Sequence, residues 1–289
     1  MKSNYAQIAL AVCLATGLVG AGYYIGLTQQ RTAPAAQAQP EIVQAATPVV
    51  PALTVEEPKY EVSRTPEGAA AKLQLENMKG LTVDTVADIE IFKSAIPSIE
   101  IVGDSQELID TIKTELVGQT LTVSHVLTKP LKVKCGSSSV SLDLNGNSTS
   151  VTVNTGKKKD KTYCALVKIG VPEIPAIQIK KSGSVHFTGA DQQQLLLKIN
   201  GSGNISGEGK VEDLLLWVTG SGSIDAADIK AKRLRVLSEG SGNVVANAQS
   251  KLESAMHGSG DVTIFGNPKT KKHDESGSGK FRLYSGTKS

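Results

Sequence analysis

A Gly-Ser-Gly tripeptide recurs through the second half of this chain. It spans Gly201 to Gly203, Gly220 to Gly222, Gly240 to Gly242, Gly258 to Gly260 and Gly277 to Gly279. A partial copy, Ser182-Gly183, precedes them. The copies stand roughly nineteen residues apart, and a fixed period of that size marks a stacked-repeat architecture. After each copy the residues alternate in type. Val185 and Phe187, Ile205 and Gly207, Ile224 and Ala226, Val244 and Ala246, Val262 and Ile264, and Phe281 and Leu283 occupy equivalent places. Strand side chains point to opposite faces with period two, so this set shares an inward face.

A second strand precedes each copy. Its apolar columns are Leu195, Leu214, Leu234 and Leu252; Leu197, Leu216, Val236 and Ser254; and Ile199, Val218, Ser238 and Met256. One rung alone cannot cover such an apolar edge, whereas stacked rungs can. The expectation is an all-β fold, a parallel β-helix or β-solenoid of six rungs. Glycine at the corners is expected because a tight turn needs backbone angles that a β-carbon penalises. The corner serines are expected to form a ladder from rung to rung. In the last rung the columns turn polar, at Lys271, His273 and Glu275, as suits an end that must not recruit further strands.

Upstream the organisation changes. Residues 6–27 carry no charged side chain and are long enough to cross a bilayer as a helix. With Lys2 before the run and Arg31 after it, the stretch reads as a transmembrane signal anchor behind a cytoplasmic stub, 1–5. This places the protein in a bacterial inner membrane, single-pass, with the C-terminal domain in the periplasm. The alternative is secretion after cleavage at the small-residue site Ala36-Gln37-Ala38. Residues 28–78, with Pro34, Pro40, Pro48, Pro51, Pro58 and Pro66, read as a linker. Residues 79–289 read as the folded domain. Within it, residues 107–116 fit either a helix or a strand. Cys135 and Cys164 are a candidate disulfide in an oxidising compartment, and two separate buried thiols are the alternative.

The chemistry-bearing signals are sparse. A net charge of +3 over 289 residues, with 4% aromatics, leaves no basic-aromatic stripe for nucleic acid. The glycines lack the spacing and the following helix of a nucleotide loop, and no cofactor is expected. The place after each corner reads Ser184, Asn204, Ser223, Asn243, Asp261 and Lys280, too few carboxylates for a calcium ladder. No metal spacing joins His125, His186, His257 and His273. Asp225, Asp228 and Asp261 fall on nearby rungs, which keeps a polysaccharide lyase or hydrolase as an alternative, since glycosidic cleavage uses paired carboxylates. Trp217, the one tryptophan, takes the outward phase of its strand. Trp217, Asp225 and Asp261 are therefore the candidate ligand face.

The Gly-Ser-Gly-x-apolar series, the run Ile174-Pro-Ala-Ile-Gln-Ile, and the stretch from Leu252 through Gly258-Ser-Gly-Asp-Val to Gly266-Asn-Pro resemble the auto-transporter adhesin head GIN domain family. The resemblance covers residues 81–284. It implies a bacterial exported β-helix of unknown ligand and brings no catalytic residues with it. The chain departs from that pattern in an expanded stretch, residues 134–168. The combined expectation is a membrane-tethered module of binding, adhesion or structural type, whose partner is an envelope glycan or protein. A self-assembling scaffold is a further alternative, disfavoured by the polar last rung.

Overall fold

Each rung is one long strand, bent in the middle, that runs from one glycine corner to the next. In a computed structural model these are β12 (Val185–Ile199), β13 (Ile205–Val218), β14 (Ile224–Ser238) and β15 (Val244–Met256). All four pair in parallel with in-register flanks. The structure describes residues 60–63, 75–103, 106–128, 130–135, 138–142, 148–153 and 165–286. The expected anchor at 6–27, the cleavage site and Cys164 lie outside them, so the Cys135–Cys164 pairing does too. Among the described residues no helix is long and apolar enough to cross a membrane.

The expected columns are the observed ones. Ile179, Ile199, Val218, Ser238, Met256 and Glu275 follow one another in register. Six corners therefore delimit about five turns of a parallel β-solenoid. Spacing between corners varies slightly, and the bend in mid-strand absorbs the variation. Register slips there between Phe187 and Ala190, Ser206 and Glu208, and Ala226 and Lys230. Extra residues bulge out and re-aim the strand while both flanks stay aligned. The bend also carries an inward set that the sequence columns did not include: Ala190, Val211, Ile229, Ala231 and Ala248 are all buried.

The early rungs do not stack in chain order. β2 (Gly80–Asp84) leads through a corner into β3 (Asp88–Lys93), which reverses into β4 (Ser98–Gly103). After α1 (Gln106–Thr111), β5 (Ile112–Val117) and β6 (Thr120–His125) form a hairpin. Residues 107–116 are thus helix first and strand second, with Leu108 and Ile109 buried. β7 (Leu131–Cys135), β8 (Ser138–Leu142) and β9 (Ser148–Val153) make a separate antiparallel sheet that overlaps the expanded stretch. β10 (Ala165–Val171) then inserts between β3 and β4, and β11 (Ala176–Ile179) between β2 and β12. The folded unit also begins earlier than residue 79. β1 (Tyr60–Ser63) pairs antiparallel with β4, and Leu75 and Met78 are buried in the core. Antiparallel strands end the parallel stack on this side and limit further strand addition.

At the other end β16 (Val262–Phe265), β17 (Thr270–Glu275) and β18 (Phe281–Tyr284) complete the stack. β17 is exposed throughout, as its polar columns predict. His273 covers the inward Phe281 by stacking at 3.9 Å between ring centroids. Two hydroxyls in the core, Ser238 Oγ and Ser254 Oγ, are buried without a hydrogen-bond partner among the described residues.

A polar knot ties the N-terminal elements together. Thr111 Oγ1 donates to Leu108 O (2.7 Å), so it accepts from His125 Nδ1 (2.9 Å). Thr85 Oγ1 lies 2.8 Å from His125 Nε2 and accepts from Ala87 N. A neutral imidazole protonated at Nδ1 satisfies every partner. Protonating Nε2 would remove the acceptor that the Thr85 hydroxyl uses. Burial, then the nearby Lys181, push the His125 pKa down to about 4, while Asp84 opposes. The linkage has a definite sign. The folded state resists the proton that the unfolded chain accepts near pH 6.5. The stabilising preference is whole above pH 6.5, erodes as pH falls, and is lost once pH passes through about 4. The expected loss is about 3 kcal/mol. Denaturant midpoints at pH 7 and pH 4 measure it, and His125→Asn should show a shallower decline; equal slopes for the two proteins would refute the assignment.

Candidate functional site

The glycine corners show why chemistry should be sought elsewhere. Ser221 N and Gly222 N both donate to Gly201 O, and Ser241 N and Gly242 N to Gly220 O. Ser259 N and Gly260 N donate to Gly240 O in the same way. Successive corners therefore touch backbone to backbone. A β-carbon on Gly203, Gly222, Gly242 or Gly260 would sit within 2.0 Å of the carbonyl oxygen one rung below. This corrects the expectation about backbone angles. Of the ten Gly-Ser-Gly glycines only Gly277 has a positive φ. Glycine is required for close approach, because the carbonyl already occupies the space. The serine ladder is also largely absent. The corner serines face outward, and among the described residues one hydroxyl pair forms, Ser278 to Ser259 (3.1 Å).

The ladder lies one residue further on. Asn204 Oδ1 accepts from Ser223 N, Ser223 Oγ from Asn243 N, Asn243 Oδ1 from Asp261 N, and Asp261 Oδ1 from Lys280 N. Each side chain thus receives the backbone amide of the next rung. Short side chains with an acceptor oxygen fit, as at helix N-caps. The alternation of Asn, Ser and Asp at this place was the legible signal. Among the described residues Lys280 is the last member of the series. Asn243→Ala should lower stability by about 1 kcal/mol by stranding the Asp261 amide. Thermal melting checks this, and an unchanged transition would show the ladder to be incidental.

The three candidate ligand residues do not converge. Asp261 belongs to the ladder and also pairs with Arg282 Nη1 (2.8 Å). That guanidinium, then the Lys280 amide, hold its carboxyl below the ordinary range. Asp225 Oδ1 accepts from Ala227 N at the mid-strand bend. Asp225 stands level with Ser206 and Val245, whereas Asp261 sits two rungs on, in the corner column. Asp228 is level with Glu208 on one side, is skipped in the pairing with β15 on the other, and is exposed. These carboxylates do not flank a common point. Trp217 does face outward, as expected, but its neighbours cover it. Lys198 Nζ lies 3.6 Å from the ring centroid, and the indole Nε1 donates to Glu239 Oε2 (3.3 Å).

The outer face beside Trp217 is the stronger candidate. Here three outward columns run up the C-terminal halves of β12 to β15 and onto β17. The first is Gln194, Asp213, Arg233, Lys251 and Thr270; the second Leu196, Leu215, Arg235, Glu253 and Lys272; the third Lys198, Trp217, Leu237, Ala255 and Asp274. Leu196, Leu215 and Leu237 are half-buried although they face away from the core. Asp213 takes Arg233 in a two-point hydrogen-bonded pair, which holds its carboxyl below the ordinary range. Glu253 is likewise held down by Lys251 at 2.7 Å. Arg235 is exposed between these pairs and feels the charge of both Asp213 and Glu253, but it makes no hydrogen bond to either among the described residues.

Two depressions meet at Leu215 and Arg235. One, of about 570 Å³, reaches across Gln193 and Gln194 to the turn before β11. The other, of about 300 Å³, lies above the small Ala255 and is bounded by Leu237, Lys272 and Asp274. Sequence reasoning missed this face. A signal existed: Leu195-Leu196-Leu197 and Leu214-Leu215-Leu216 are apolar on both phases, which breaks the alternation a solvated outer face would show.

The family model described as "Putative auto-transporter adhesin, head GIN domain" matches residues 77–268. The chain belongs to this family. The chain is also similar to several solved structures. One is a putative adhesin from Bacteroides fragilis, 18% identical, with a TM-score of 0.53 over 78% of this chain and 97% of that one. A putative lipid binding protein from Parabacteroides distasonis is 19% identical over the same shares, with a TM-score of 0.37. A putative adhesin from that species is 14% identical over the same shares, with a TM-score of 0.35. Among curated proteins none matches the chain. The GIN domain match ends at residue 268, so it includes the whole two-depression face except the β17 residues.

Proposed function

We propose that this chain is an exported, membrane-tethered binding module of adhesion type, and that it meets its partner through the outer face of β12 to β15. The observation that carries the reading is the pair of depressions joined at Leu215 and Arg235, lined by half-buried leucines and a guanidinium that makes no hydrogen bond among the described residues. A site on stacked, fully paired strands is preorganised and loses little freedom on binding. Membership in the adhesin head family supports an envelope setting. Residues 6–27 would anchor the module in the bacterial inner membrane, with the proline-bearing stretch behind them holding the solenoid in the periplasm. Cleavage near Ala38 would release it instead. An envelope glycan or protein is the partner.

The test is retention. Immobilised residues 55–289, which include β1, should capture a component from a solubilised envelope fraction, and free domain should compete it away. A folded domain that retains no envelope component would end this reading. Membrane fractionation of the full chain separates the anchored form from the cleaved one.

A further inference from the structure

Resting on that reading of the outer face, we infer that the Arg235 groove takes a carboxylated sugar within an acidic oligosaccharide. The argument begins with unused donors. A guanidinium presents five N–H groups in a planar fork matched to a carboxylate. Arg233 spends its fork on Asp213. Arg235 has no hydrogen bond or ion pair among the described residues, and its two acidic neighbours are engaged by Arg233 and Lys251. Lys272, on the rim of the smaller depression and level with Glu253, adds a second cation.

The surroundings narrow the ligand. Leu215 and Leu237 offer half-buried apolar surface beside the guanidinium. Gln193 and Gln194 are exposed on the wall of the larger depression. Apolar surface for a ring face, amides for hydroxyls and one fork for a carboxylate together describe a sugar acid. The alternatives fit less well. An extended peptide gains affinity from an exposed strand edge, and Arg235 sits on β14, which is paired on both sides. A nucleic acid or an anionic membrane needs a dense field of cations, whereas most charges here are already paired in opposite signs. The depressions succeed each other along the stack, so an oligosaccharide laid up the rungs would reach both.

The probes are uronic-acid oligosaccharides of the galacturonate, glucuronate and mannuronate series, each beside its carboxyl-reduced counterpart. Titration calorimetry uses the full chain in mild detergent. At least one uronate series should bind, its reduced counterpart should bind at least about tenfold more weakly, and Arg235→Ala should lose at least about tenfold with an unchanged melting transition. Arg235→Lys should recover only part, because the ammonium lacks the fork. Equal binding of acidic and reduced forms, no binding of any uronate, or an unaffected Arg235→Ala would each overturn the inference. Persistent retention of an envelope component in those cases would leave the binding-module reading standing; loss of all retention would remove both.

Discussion

Gly222→Ala should cost about 3–5 kcal/mol, a large part of the stability of an ordinary domain. A β-carbon at this place would lie 1.8 Å from Gly203 O and 3.0 Å from Ile199 Cγ2. The first of these atoms is backbone and has no rotamer to change. Relief requires the two corners to separate, which also lengthens the bonds from Ser221 N and Gly222 N to Gly201 O. The rung above rests on this one through Gly220 O, so the shift would propagate. Two controls isolate the cause. Ser221→Ala, on an exposed side chain in the same corner, should change stability by under about 0.5 kcal/mol. Gly118→Ala, at φ 60 with open space around it, should cost about 1–2 kcal/mol from backbone conformation alone. Denaturant midpoints for the three variants give the comparison. A Gly222→Ala cost no larger than that of Gly118→Ala would mean that close approach is not what glycine serves at the corners.

Phe187→Ala should cost about 3–5 kcal/mol, in the range for emptying a buried aromatic site. Phe187 is fully buried and stands level with Gly207 on the next rung. Its ring fills the space that a side chain at 207 would occupy, for a β-carbon there would lie 2.3 Å from Cζ. Ala226 and Ala246 continue the same column. One large residue is thus balanced by a run of small ones, which keeps a straight stack filled. The pairing predicts a change of sign. In the parent, Gly207→Ala should destabilise by about 1–3 kcal/mol through overpacking. In the Phe187→Ala background the same substitution should be neutral or stabilising, because the ring that blocks it is gone. A double-mutant cycle reads this directly. Additive costs would show that Phe187 and Gly207 do not share the space.

Some of this was legible residue by residue. Val185 with Phe187 and Ile205 with Gly207 declare their inward phase by alternation alone, because side-chain direction in a strand follows local backbone geometry. Leu195, Leu214, Leu234 and Leu252 did the same for the other flank. The mid-strand columns, Ala231 and Ala248 among them, were not legible, since the bulges break the period that would have revealed them. The candidate ligand residues were chosen on outward phase, and phase does not report partners. Trp217 proved covered by Lys198, and Asp261 was engaged by Lys280 and Arg282.

The sequence by itself determined the repeat length, the inward faces and the polar last rung. Each depends on contacts between a residue and its near neighbours, or on the same place one period later. Only the tertiary structure decided that β10 and β11 insert among earlier strands, because strand order is a matter of long-range pairing that no local period encodes. It also decided which charges cancel. Arg233 and Arg235 are two residues apart on one strand and are identical in type. One meets Asp213 on the rung below and is spent; the other meets Leu215 and is left with its donors free.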